Sequence, residues 1–215
     1  MHRHARGPGR GTTAAKELWW RWWRIVTLAE ATGFVAPAVV GATLSAEPDA
    51  VLAAALVAAG LVEGAALGAG QAFVLRRVLI DLPVRSFVLA TALAAAFAYA
   101  VAMVPVLLAA DPSLMPLWAL VVLAAALSPV LLASIGTAQW LVLRRLVPGS
   151  AWWIPATAAA WLCGLAAFLA VAPPLWQDGQ PVALAAAIGG LGGLVMAAVV
   201  AALTGWAAVR LARAV

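Results

Sequence analysis

The sequence predicts an all-α polytopic membrane protein whose six transmembrane helices are arranged as three tandem two-helix repeats. Three observations carry that expectation. Of 215 residues, 66% are hydrophobic and only 10% charged, with a mean hydropathy of +1.05; soluble domains carry about 25% charged residues. Apolar runs of roughly eighteen residues or more recur along the chain, each long enough to cross a hydrocarbon core of about 30 Å at 1.5 Å per residue. The heptapeptide QAFVLRR at 71–77 returns as QWLVLRR at 139–145. Strand-period alternation, the mark of a transmembrane barrel, is absent.

Residues 1–17, MHRHARGPGRGTTAAKE, are polar, basic and glycine-rich. They are expected to form a disordered tail ahead of a single transmembrane domain at 18–213. LWWRWWR follows, with Trp19, Trp20, Trp22 and Trp23 interleaved with Arg21 and Arg24. Amphipathic indoles beside cations suit a headgroup-level anchor; a lipid-sensing surface helix is the less favoured alternative. Spans are expected near 25–46, 51–75, 87–109, 117–143, 152–172 and 182–207, each bounded by proline, charge or tryptophan. No cleavable signal is expected. The first apolar run starts after residue 24, contains Glu30 and exceeds the roughly 7–15 residues of a signal-peptide core.

Charge is sorted along the chain. The connections after spans one, three and five hold Glu47, Asp49, Asp111 and Asp178 and neither Lys nor Arg. All 13 basic residues lie in the tail through Arg24, at Arg76, Arg77, Arg85, Arg144 and Arg145, or near the C-terminus at Arg210 and Arg213. The positive-inside rule then expects both termini in the cytoplasm, in a bacterial inner (plasma) membrane. A net charge of +5 and a pI near 11.0 would point to nucleic acid in a soluble chain. Here they read as charge sorting, with the bilayer and its anionic cytoplasmic headgroups as partners and no nucleic acid. The single cysteine, Cys163, excludes an internal disulfide.

The repeats explain the doubled arginines. Gly68 and Gly136 precede the two glutamines by three residues, and Ala90-Thr91 matches Ala156-Thr157 downstream. A worn third copy, GWAAVRLAR at 205–213, sets Trp206 under Trp140 and Arg210 under Arg144, while WWRIVTLAEATG resembles WWIPATAAAWLCG. The repeat units are about 18–77, 84–145 and 152–213, and share one orientation, as in parallel repeats about an axis along the membrane normal. Arg76, Arg77, Arg144 and Arg145 then end outward-to-inward helices. There they meet anionic lipid and the negative end of the helix dipole, so they read as anchors. The pattern GxxQWLVLRR…WW followed by an Ala-Thr-rich span resembles a group of predicted multi-span bacterial membrane proteins, over most of residues 60–175. That resemblance implies a membrane protein with internal repeats, and no activity or site.

Four polar residues inside the spans form the candidate site: Glu30, Glu63, Gln71 and Gln139. Gln71 shares a helix face with Gly64 and Gly68, and Gln139 with Gly136; such stripes favour close packing with an amide bonding across the contact, the alternative being that the two glutamines line a substrate path with the carboxylates. Glu30 lies about 9 Å in from Arg24, within reach of the interface or a cytoplasmic vestibule; Glu63 lies about 20 Å from Arg76. An ionised carboxylate at that depth costs at least ~2.5 kcal/mol. The spans offer no basic partner, so Glu63 is expected to be neutral and bonded to a carbonyl, Gln or Thr, or else to face water and handle protons or cations. Pro129 interrupts span four and is expected to kink it, a hinge being the alternative.

Absences exclude several chemistries. His2 and His4 lie in the tail and Lys16 precedes the spans, so bis-His haem, a His-metal site and a retinal Schiff base have no ligands within the bundle. No Ser-His pair or paired aspartates suit intramembrane proteolysis, and no phosphate-binding Gly-Lys motif is present. The expectation is a non-enzymatic protein without cofactor or metal. Its role is structural or accessory through helix packing, with itself or a membrane partner; the alternative is a small transporter or ion-coupled permease using the intramembrane carboxylates.

Overall fold

A computed structural model describes residues 9–111, 113–177 and 179–214, with side chains from 12 onward. The described residues form six helices: α1 (Gly9–Leu44), α2 (Asp49–Leu75), α3 (Val84–Ala109), α4 (Leu117–Leu143), α5 (Trp153–Leu175, after a 3-10 turn at Ser150–Trp152) and α6 (Val182–Ala212). All six are long and apolar enough to cross a membrane. Prolines 48, 83, 116 and 181 stand immediately before α2, α3, α4 and α6, where a missing N–H costs nothing. α4 runs unbroken through Pro129. In the α3–α4 loop, Ser113 donates its backbone N–H (2.9 Å) and hydroxyl (2.6 Å) to Asp111 Oδ1. Those bonds hold the exposed Asp111 carboxyl below its ordinary value.

The helix α1 starts earlier than expected. Residues 9–17, assigned from composition to an unstructured tail, supply its first turns, because TTAAKEL is mostly good helix former joined to an apolar segment. Residues 1–8 lie outside the described set.

The helices are arranged in a ring. Each packs on its chain neighbours, and α6 returns to close against α1. Small residues permit the approach. A Cβ at Gly64 would lie 2.6 Å from Ala95 Cβ and 2.8 Å from Ala92 Cα on α3, and one at Gly136 would lie 3.1 Å from Ile154 Cα on α5. The α1–α6 seam is held by indoles: Trp19 and Trp23 donate to the carbonyls of Ala202 and Ala198, and Trp22 to Thr204 Oγ1, each at 3.0 Å. The expected interfacial anchor is therefore corrected at Trp22. Its ring is fully buried and meets Trp153 edge-on at 6.3 Å, so it faces protein rather than lipid headgroups. Trp20 stays 45% exposed.

Packing is uneven along the ring axis. The main core, including Trp22, Leu75, Phe87, Leu143, Trp153 and Leu211, lies toward the end that bears Arg76, Arg77, Arg144 and Arg145. Those four arginines are exposed, with Arg76 and Arg77 over Phe73 and Arg144 over Trp140 at 5.1–5.5 Å. At the opposite end the helices bury less.

Gly64→Val will destabilise the bundle, because the atoms it would meet are backbone and Cβ that cannot rotate away; overpacking of this kind costs about 1–3 kcal/mol. Gly41→Val, whose Cβ meets nothing within 4 Å, is the matched control. Thermal loss of the monodisperse peak in detergent is the readout, and equal melting of the two variants would refute the close α2–α3 contact.

Candidate functional site

At mid-length of the helices the ring lines a half-open cavity of about 210 Å³, and every helix contributes to its wall. α1 supplies Glu30 and Phe34, α2 supplies Glu63, and α3 supplies Tyr99. α4, α5 and α6 contribute only Leu131, Ile135, Trp161, Leu165, Phe168 and Met196. The positions recur. Eight residues on from the buried aromatics Trp22, Phe87 and Trp153 come Glu30, Ala95 and Trp161, and four further on come Phe34, Tyr99 and Leu165; all six latter residues line the cavity.

The polar part of the wall is a carboxyl pair. Tyr99 donates its hydroxyl to Glu63 Oε2 at 2.7 Å. Two glycines make room: a Cβ at Gly60 would overlap the Tyr99 ring, and one at Gly33 would lie 2.9 Å from Glu63 Cα. Glu30, on the neighbouring helix, turns its carboxyl toward that of Glu63. Both Glu30 oxygens are buried, and apart from the Glu63 carboxyl no protein group donates to them. Two carboxyl groups can bond to each other only if a proton lies between them. No lining residue is basic, so the charge of the pair has no fixed counter-ion on the wall.

Glu30 does not reach an interfacial vestibule, as its distance from Arg24 had allowed. It is fully buried, because its side chain is directed inward, between α2 and the cavity. The partner of Glu63 is Tyr99 rather than a carbonyl, Gln or Thr. Tyr99 is the one tyrosine in the chain, and a phenol inside an apolar span, which must find a partner when buried, was the available signal. The aromatic wall had none, since Phe34, Trp161 and Phe168 look like ordinary span residues.

Gln71 and Gln139 belong to a different place. They meet each other below the cavity and are not on its wall. Gln139 Nε2 donates to Gln71 Oε1 at 2.6 Å and to Thr91 Oγ1 at 3.1 Å, while its Oε1 accepts from Trp153 Nε1 at 2.9 Å. Thr91 in turn donates to the Phe87 carbonyl at 2.8 Å. The four predicted polar residues thus divide into a carboxyl pair on the cavity and an amide pair that ties α2, α3, α4 and α5 beneath it. No protein-family model, curated protein or solved structure matches this chain.

Gln139→Leu will cost more stability than Gln71→Leu. The first strands the buried Trp153 N–H and one Gln71 oxygen, at about 1–3 kcal/mol for an unsatisfied buried group; the second leaves Gln139 bonded to Thr91 and Trp153. Thermal unfolding of the two variants in the same detergent decides it, and the reverse order would refute the assignment of Gln139 as the centre of the network.

Proposed function

We propose that this chain is a small proton-coupled transporter of a bacterial inner membrane, with both termini cytoplasmic, and that the central cavity is its solute site. The observation that carries the reading is the pair Glu30–Glu63, placed at mid-depth on a cavity to which all six helices contribute, without a basic partner on the wall. An intramembrane carboxyl group is costly to keep and marks proton or solute handling when it faces a cavity. Sites at the midplane between repeats are the usual arrangement in secondary transporters.

Two further features support it. The recurrence of wall positions at matched distances from Trp22, Phe87 and Trp153 is what three hairpins in one orientation around a common axis would produce. The dense core and amide layer close one end of the ring, as alternating access requires of at least one gate. The orientation rests on the arginines, all of them at that closed end or in the N-terminal segment. No reaction chemistry is assigned: the wall offers no nucleophile with an adjacent base.

A structural or accessory role, through packing with a second copy or another membrane protein, is the second reading. It is favoured by α4, whose Trp118 is 71% exposed beside the exposed Val121 and Val122. Solvent access separates the two. In a Cys163→Ala background, Glu63→Cys is expected to react with an impermeant thiol reagent from one face of the membrane, in whole cells or in inverted vesicles. Failure from both faces, while Ile80→Cys in the α2–α3 loop labels normally, would remove the transport reading and leave the structural one.

A further inference from the structure

We infer that the solute is a small lipophilic amine, taken up by the cavity as its monocation in exchange for one proton. The inference rests on the transport reading above and names the chemistry of the same site.

Charge comes first. The titratable groups facing the cavity are Glu30 from α1, Glu63 from α2 and Tyr99 from α3; none comes from α4, α5 or α6. A wall with two carboxyl groups and no cation repels anions and accepts positive charge. With both carboxyls protonated the empty site is neutral. Binding a monocation R–NH3+ with release of one proton leaves one shared proton, one negative charge and one positive charge, so the site is neutral again. Neither state places net charge in the hydrocarbon layer, where it costs several kcal/mol.

Hydrogen bonding gives the head group. Tyr99 occupies Oε2 of Glu63, and no protein group other than the Glu63 carboxyl is placed to donate to Glu30. An ammonium brings three donors and no acceptor, which suits a cluster that is short of donors. A bare metal ion fits poorly. Divalent hard cations want about six or more oxygens, and among the described residues no third His, Cys, Asp or Glu joins the pair.

The rest of the wall gives the body. Phe34, Tyr99, Trp161 and Phe168 present aromatic rings, with Phe34 and Phe168 edge-on at 5.9 Å. Aromatic faces attract cations and accept apolar groups, while offering a sugar or a peptide almost nothing to bond. The volume of about 210 Å³ sets the scale: a cavity of roughly 150 Å³ already holds benzene, so one ring with a two-carbon amine arm fits the space.

The test uses the full chain in nanodiscs and three probes of matched size by calorimetry: phenethylamine (cation), 2-phenylethanol (neutral) and 3-phenylpropionate (anion). Phenethylamine is expected to bind at least about tenfold more tightly than the alcohol, with no binding of the acid. One proton should be released per amine bound, read from buffers of different ionisation enthalpy. Apparent affinity should rise about tenfold per pH unit wherever the empty site carries both protons. Glu30→Gln and Glu63→Gln are each expected to abolish the preference for amine over alcohol; proton release by the unmodified chain tests the exchange even if those variants do not fold. Equal binding of amine and alcohol without proton release would overturn the inference while leaving the cavity a solute site. Binding of none of the three would also overturn it, and the labelling of Glu63→Cys would still judge transport independently.

Discussion

The base of this bundle is organised around the hydrogen bonds of Gln139. In hydrocarbon a polar side chain has no water to fall back on, so an amide must find its partners in neighbouring helices. Gln139 uses both ends of its amide, donating to Gln71 and Thr91 and accepting from Trp153. One side chain on α4 thereby ties α2, α3 and α5. Trp22 on Thr204 does the same for α1 and α6. With these bonds made, the apolar residues between them close into a core, and the ring is sealed at its arginine-bearing end.

The same economy of size that lets the helices approach also leaves the void above that layer. Glycine at 33, 60 and 64 brings α1, α2 and α3 close and gives Tyr99 and Glu63 room to meet. On α3 itself, small residues such as Ala95 and Ala98 stop short of the centre. A half-open cavity of about 210 Å³ is what remains. One longer side chain at Ala98 would fill part of it. That cavity, with two carboxyl groups on its wall, is the feature on which the proposed solute site rests.

Several parts of this arrangement were legible residue by residue. The ends of α2, α3 and α4 could be read from Pro48, Pro83, Pro116 and the doubled arginines, since proline and charge bound an apolar run. Gly64, Gly68 and Gly136 announced close helix contacts, and those contacts exist. Sequence and structure part where one feature fits two environments. Four tryptophans beside arginines suit an interface, yet the azimuth of α1 turns Trp22 inward and leaves Trp20 outward. Thr12 to Glu17 look polar enough for a tail, yet they continue the helix that Leu18 and the tryptophans anchor. Glu30 and Glu63 read as separate problems at different depths, until α1 and α2 pack side by side and their side chains span the difference.

By itself the sequence determined how many membrane-length helices there are, roughly where the apolar part of each lies, and which ends carry positive charge, though not where α1 begins. Bilayer thickness sets helix length, and the cost of burying charge sets loop composition, so both are written locally. Only the tertiary structure decided which polar groups meet: that Glu30 faces Glu63, that Tyr99 rather than Gln71 bonds it, and that Gln71 and Gln139 belong to the base and not to the cavity. The reason is that these helices are apolar on nearly every face. With little amphipathic contrast to orient them, their rotation and their order around the ring are set by the fit of glycines, rings and amides between neighbours, and that fit exists only once the helices are assembled.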